Sequence, residues 1–82
     1  MATPYNGNCE IRRAGVRDDG RVVLDLKSAD NTFDWHWFLA KPEISHEILA
    51  VALSAIACNK LVYCITEDIV DWSNVTWLAA CK

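Results

Sequence analysis

The chain has 82 residues, 52% of them apolar and 23% charged, with a net charge of −3 and a pI near 5.1. That composition excludes a disordered chain, and the acidic balance gives no general attraction to nucleic acid or anionic membranes. A single domain this small buries only about 60–65% of its unfolded surface, so oligomerisation, a disulfide or a metal is a natural supplement.

The first eight residues, with Thr3-Pro4 and Asn6-Gly7-Asn8, read as an irregular lead-in. Residues 9–16 read as a strand, Asp18-Asp19-Gly20 as a hairpin turn, and residues 21–28 as the returning strand. In that second strand Val22, Leu24 and Leu26 share one face, and Val23, Asp25 and Lys27 share the other. A three-residue loop ending in a left-handed Gly20 sets Val16 opposite Val22, Ala14 opposite Leu24 and Arg13 opposite Asp25. Apolar pairs then meet on one side and an opposite-charge pair on the other, which a two-residue loop does not achieve. Gly15 is the expected position of a bend or bulge.

Residues 28–32 (SADNT) form a turn, and residues 33–40 (FDWHWFLA) a third strand. Phe33, Trp35, Trp37 and Leu39 share one face of it, with Asp34, His36 and Phe38 on the other. Tryptophans in strands most often fill cores, so Trp35, Trp37 and Trp77 are expected inside. A helix begins between Pro42 and Ser45 and ends near Asn59-Lys60, with Asn59 suited to a left-handed cap and Lys60 to the negative helix end. Residues 61–66 are a fourth strand, residues 67–74 a polar loop containing Trp72, and residues 75–81 a fifth strand.

This order, βββαββ, is that of the OB-fold. The expected class is α+β, mainly β: a five-stranded antiparallel OB-like barrel, or a strongly curved sheet with the helix across it, forming one domain over residues 1–82.

The helix is not properly amphipathic. At about 100° per residue, the apolar side chains of residues 44–58 cover roughly 220° of its surface, where an ordinary surface helix shows a stripe of about 100° or somewhat more. Ala50, Ser54 and Ala57 follow one another at spacings that let a second element approach closely. Together with Val51 and Cys58 they form the predicted interface of a homo-oligomer.

The phrases GVRDDGRVVLDL, EILAVALSAIACNKLVYCIT and DWSNVTWL resemble small bacterial OB-like proteins. These are relatives of the receptor-binding subunits of AB5-type toxins and orphan proteins of integron gene cassettes, and ALSAIACNKLVYC is the most specific stretch. The resemblance implies a ring, often a pentamer, with each helix lining the centre. It carries no catalytic motif.

No Gly-rich phosphate loop or nucleophile elbow occurs, so no enzymatic activity and no cofactor are expected. Asp34 and His36 share a strand face but lack an identifiable third member of a triad. Cys9, Cys58, Cys64 and Cys81 have no CxxC spacing, and His36 and His46 are not spaced with them as zinc ligands. With no apolar signal core in MATPYNGNCE, reduced and mostly buried thiols are expected and a cytoplasmic location is favoured, unless a leader has been removed. No stretch reaches the roughly 20 apolar residues of a membrane span.

What remains is a non-catalytic binding or assembly module. Asp71, Trp72 and Ser73 could stack on and hydrogen-bond a glycan, although Trp72 is expected to cap the barrel end. A surface for a protein ligand needs no special residues. Single-stranded nucleic acid is the other alternative, through Arg12, Arg13, Arg17 and Arg21 with His36 and Phe38. The acidic total and the expected alternation of the arginines across faces weigh against it.

Overall fold

A computed structural model describes residues 2–80. Five strands form a closed barrel in the order β1-β2-β3-β5-β4. They are β1 (Tyr5–Val16), β2 (Val22–Ser28), β3 (His36–Ala40), β4 (Val62–Thr66) and β5 (Asn74–Ala80). A 3-10 turn (Pro42–Ile44) and the helix α1 (Ser45–Ala57) lie between β3 and β4. The barrel reading therefore holds over the open sheet, and the order is βββαββ. The strand pairs are antiparallel except β3–β5, which runs parallel through Leu39–Asn74 and Ala40–Val75. Cys81, the last residue of the predicted fifth strand, lies outside the described residues.

The hairpin register is the one argued from charge and apolar pairing. Val16 faces Val22, Ala14 faces Leu24 and Arg13 faces Asp25. Arg17 N donates to Arg21 O at 2.8 Å, Gly20 N donates to Arg17 O at 2.9 Å, and Gly20 has φ +84°. Such a turn suits glycine because an added Cβ makes that backbone conformation costly.

Two expectations about β1 are corrected. Residues 5–8 are not an irregular lead-in: Tyr5 to Cys9 pair with β4, and Tyr5 is 8% exposed. Gly7 serves close packing, since a Cβ there would lie 2.8 Å from Tyr5 Oη. The bulge is not at Gly15, which pairs regularly with Val23, but between Ile11 and Arg13. Arg12 is the extra residue, so the alternation breaks and Arg12 and Arg13 both reach the outer face.

The interior is filled by Leu24, Leu26, Phe38, Val62, Val75, Cys9 and Cys64, all without solvent exposure. Short strands leave room for these and not for indoles. The prediction that Trp35, Trp37 and Trp77 fill the core is therefore wrong. Trp35 and Trp37 are half-buried on the outer surface and Trp77 is 55% exposed. Phe38 points inward from β3, as Ala40 does, which removes it from any exposed binding set.

The helix docks on the barrel through Ile48, Ala52 and Ala55. It ends as its sequence suggests. Asn59 is left-handed (φ 54°), Lys60 N donates to Ala55 O at 2.9 Å and Asn59 N to Ile56 O at 3.2 Å, a Schellman arrangement. No helix of the described residues is long and apolar enough to cross a membrane.

The Tyr5 hydroxyl donates to Asn8 O at 3.1 Å. Burial, reinforced by the nearby Cys9 thiol, Asp30 and Cys64, pushes its pKa up from 10.0 to about 12. The unfolded chain loses that proton first, so raising the pH favours unfolding once it passes 10. The contribution is intact below pH 10 and is lost as pH rises toward 12. Thermal melts across that window should show a steeper loss of stability for the native protein than for Tyr5→Phe. Equal slopes would contradict the assignment.

Candidate functional site

The second strand places Asp25 on the outside of the barrel, yet Asp25 is only 1% exposed. The β1 bulge makes this workable by directing two guanidinium groups at one oxygen. Asp25 Oδ2 accepts from Arg12 Nε at 2.6 Å, Arg13 Nε at 3.0 Å and Arg13 Nη2 at 2.9 Å. A buried carboxylate left without such donors is costly. Supplied with them, it fixes two long and otherwise mobile side chains.

Each arginine then lies over an indole. The Arg12 guanidinium sits 4.3 Å from the centre of the Trp35 ring, and that of Arg13 sits 4.9 Å from Trp37. Trp37 stacks with Trp72 at 6.5 Å and 11° between planes, and Arg17 lies 5.1 Å over Trp72. Three arginines and three tryptophans thus form one continuous array. It runs from β3 over β1 and β2 to the β1–β2 and β4–β5 loops. In OB barrels the strand 2–3 face and these two loops are where oligonucleotides and oligosaccharides bind.

The β4–β5 loop is clamped in place by its neighbour strand. Trp72 N donates to Trp37 O at 2.6 Å, and Asp71 Oδ1 accepts from Trp37 N at 3.0 Å. Trp72 holds a φ of 68° and is 49% exposed. Contrary to the expectation that it caps the barrel end, it stands half exposed beside Trp37. A bulky residue in this conformation costs on the order of 1–3 kcal/mol. Its two ring contacts recover about 1–2.5 kcal/mol together. Placing an indole there therefore adds little net stability.

One further polar group faces this end of the barrel. Arg21 Nη2 donates to Asn74 Oδ1 at 3.3 Å, while Arg21 Nε is buried with no hydrogen-bond partner.

The glycan set fares differently. Asp71, Trp72 and Ser73 do adjoin one another, but one carboxylate oxygen of Asp71 and the Ser73 hydroxyl are used within the fold. Asp71 Oδ1 holds Trp37 N and lies 3.7 Å from His36 Nδ1, and Ser73 Oγ donates to Val70 O at 2.8 Å. Asp34 and His36 do not act as a pair: Asp34 Oδ1 accepts from Trp35 N, and His36 Nδ1 lies 2.8 Å from Trp35 O. No metal-ligand cluster occurs among the described residues.

The interface residues Ala50, Ser54, Ala57 and Cys58 are exposed on α1, and Val51 is half-buried. Two apolar grooves flank the helix. One, of about 480 Å³, runs between Leu53 and Ile56 on one side and Val16, Val23 and Trp37 on the other, with Arg12 and Arg13 at its rim. The second, of about 200 Å³, lies between Val51, Ile48 and Glu47 and the exposed Trp77.

Comparison with protein-family models, with curated proteins and with solved structures finds no match.

Sequence reasoning missed the array because the inward or outward phase of the tryptophans depends on barrel volume. The available signal was the pairing of Arg13 with Asp25 beside a strand rich in tryptophan. Asp25→Ala removes the common acceptor of Arg12 and Arg13. At about 1–3 kcal/mol for charged hydrogen bonds and roughly 4–8 °C per kcal/mol in a domain of this size, Tm should fall by on the order of 10 °C. Trp72→Gly relieves the left-handed strain and should leave Tm within about 5 °C of the native value. Calorimetry of the two variants checks both. A larger loss for Trp72→Gly than for Asp25→Ala would make the indole a structural prop.

Proposed function

We propose that the protein is a non-catalytic binding module that holds a short single-stranded nucleic acid across the Arg–Trp array and works as a homo-oligomer joined through α1. One observation carries the ligand reading: guanidinium groups and indole rings alternate along the OB ligand face. Indoles stack on bases of any identity, at about 1–3 kcal/mol per base. Guanidinium groups pair with phosphate.

The acidic total of the chain bears on the form of binding. Asp25 offsets one of the two charges of Arg12 and Arg13, and Arg17 Nη2 already pairs with Asp19 at 2.7 Å. Few charges are left for phosphates, so the salt dependence is shallow and stacking supplies most of the affinity. The objection that the arginines alternate across faces does not apply, because the bulge puts Arg12 and Arg13 on one side. A glycan on residues 71–73 has less support, since Asp71 Oδ1 and Ser73 Oγ are already engaged within the fold.

Self-association is supported by what α1 leaves uncovered. Leu53 is 50% exposed and Trp77 55%, with the small residues 50, 54 and 57 between the two grooves. Apolar surface of this kind marks an interaction site.

Two measurements test the parts separately. Titration with oligothymidylate should quench tryptophan fluorescence, weakening by less than about tenfold between 50 and 200 mM salt when only one or two phosphates are neutralised. Trp72→Gly should reduce the affinity without unfolding the chain. No quenching at low salt, or quenching by neutral sugars alone, would overturn the nucleic-acid reading. Sedimentation at micromolar concentration should show an oligomer that Leu53→Lys dissociates; a 9.2 kDa monomer of the native chain would remove the assembly.

A further inference from the structure

Cys9 and Cys64 are both fully buried, and their Sγ atoms lie 2.6 Å apart. They sit on β1 and β4, one of the two strand pairs that join the first three strands to the last two. Cys9 faces Val62 and Gly7 faces Cys64, so the two cysteines are diagonal neighbours on the inward face. Bridging them requires a contraction of only about 0.5 Å to reach the S–S bond length of about 2.05 Å. Gly7 opposite Cys64 adds no side chain between the strands.

We propose that Cys9 and Cys64 form a disulfide that ties β1 to β4 inside the barrel. The bond forms by thiol–disulfide exchange with a low-molecular-weight or protein disulfide as oxidant. One cysteine thiolate attacks the oxidant, displacing one of its thiols and leaving a mixed disulfide. The second thiolate attacks that bond, releasing the other thiol. Two protons and two electrons leave the protein, and the oxidant departs as two thiols. With no exposure of either sulfur in the folded barrel, the exchange takes place while β1 and β4 are still docking. Once formed, the bond is shielded from reductant by the same burial. Cys58, exposed on the helix end, stays a thiol.

The bond closes a long loop, because its ends are 55 residues apart in the chain. Constraint of the unfolded state by a loop of this size raises Tm by on the order of 15–25 °C. Such bonds form and persist in oxidising surroundings, so this one is retained only where the chain meets them while folding.

The full chain, reduced in denaturant and refolded in a glutathione redox buffer, is denatured again and alkylated without reductant, then mapped by mass spectrometry. The expected result is a Cys9–Cys64 linked peptide with Cys58 alkylated. Melts should show a Tm drop of the stated size when protein refolded with reductant is compared with protein refolded in the redox buffer. A Cys9→Ala/Cys64→Ala variant should show no difference between the two conditions. Alkylation of both Cys9 and Cys64, or a linkage that pairs either with another cysteine, overturns the proposal. Should the double variant fail to fold, the peptide map of the native chain decides alone.

Discussion

A carboxylate buried on the outside of a barrel organises the surface of this protein. Asp25 points away from the apolar interior and would meet water there, but Arg12 and Arg13 cover it and donate to the same oxygen. A pair of this kind contributes little to stability beyond what apolar packing would supply. What it does is remove freedom from two arginines that would otherwise move about. Held in place, they lie over Trp35 and Trp37, and Trp37 in turn receives Trp72. The whole array traces back to one bulge residue and one acidic side chain.

The same economy governs the helix. Its three buried residues, Ile48, Ala52 and Ala55, are the minimum needed to seat it on the barrel. Leu49, Val51 and Ile56 are half-buried and Leu53 is half exposed. An 82-residue chain lacks the material to cover both sides of such a helix. The groove at Leu53 reaches Arg13 and Trp37, so assembly through α1 and occupancy of the Arg–Trp face would share a border.

Much of the architecture was legible in the residues. The hairpin register followed from placing Arg13 opposite Asp25 and Val16 opposite Val22, with Gly20 in the turn. The helix end followed from Asn59, and the element order pointed to the OB-like barrel. These are local matters of alternation, charge pairing and backbone freedom. The bulge at Arg12 was not legible, because it answers to the curvature of closure and no glycine marks it. Alternation alone puts Trp35, Trp37 and Trp77 in the core, since indoles usually bury. Here Leu24, Leu26, Phe38 and the two inward cysteines already fill the interior. Residues 5–8 looked like turn residues, and only pairing with a strand far along the chain shows why Gly7 is needed. The candidate site was therefore legible as a set of arginines and one loop tryptophan, but not as a single surface.

The central claim is that the Arg–Trp array is the ligand face. Two-dimensional NMR of the four indole N–H groups and the arginine Nε–H groups during titration with oligothymidylate tests it most directly. Binding there shifts Trp35, Trp37, Trp72 and the Nε–H groups of Arg12, Arg13 and Arg17, while Trp77, on β5 beside the helix, stays in place. Shifts confined to Trp77, or none at any indole, would contradict it.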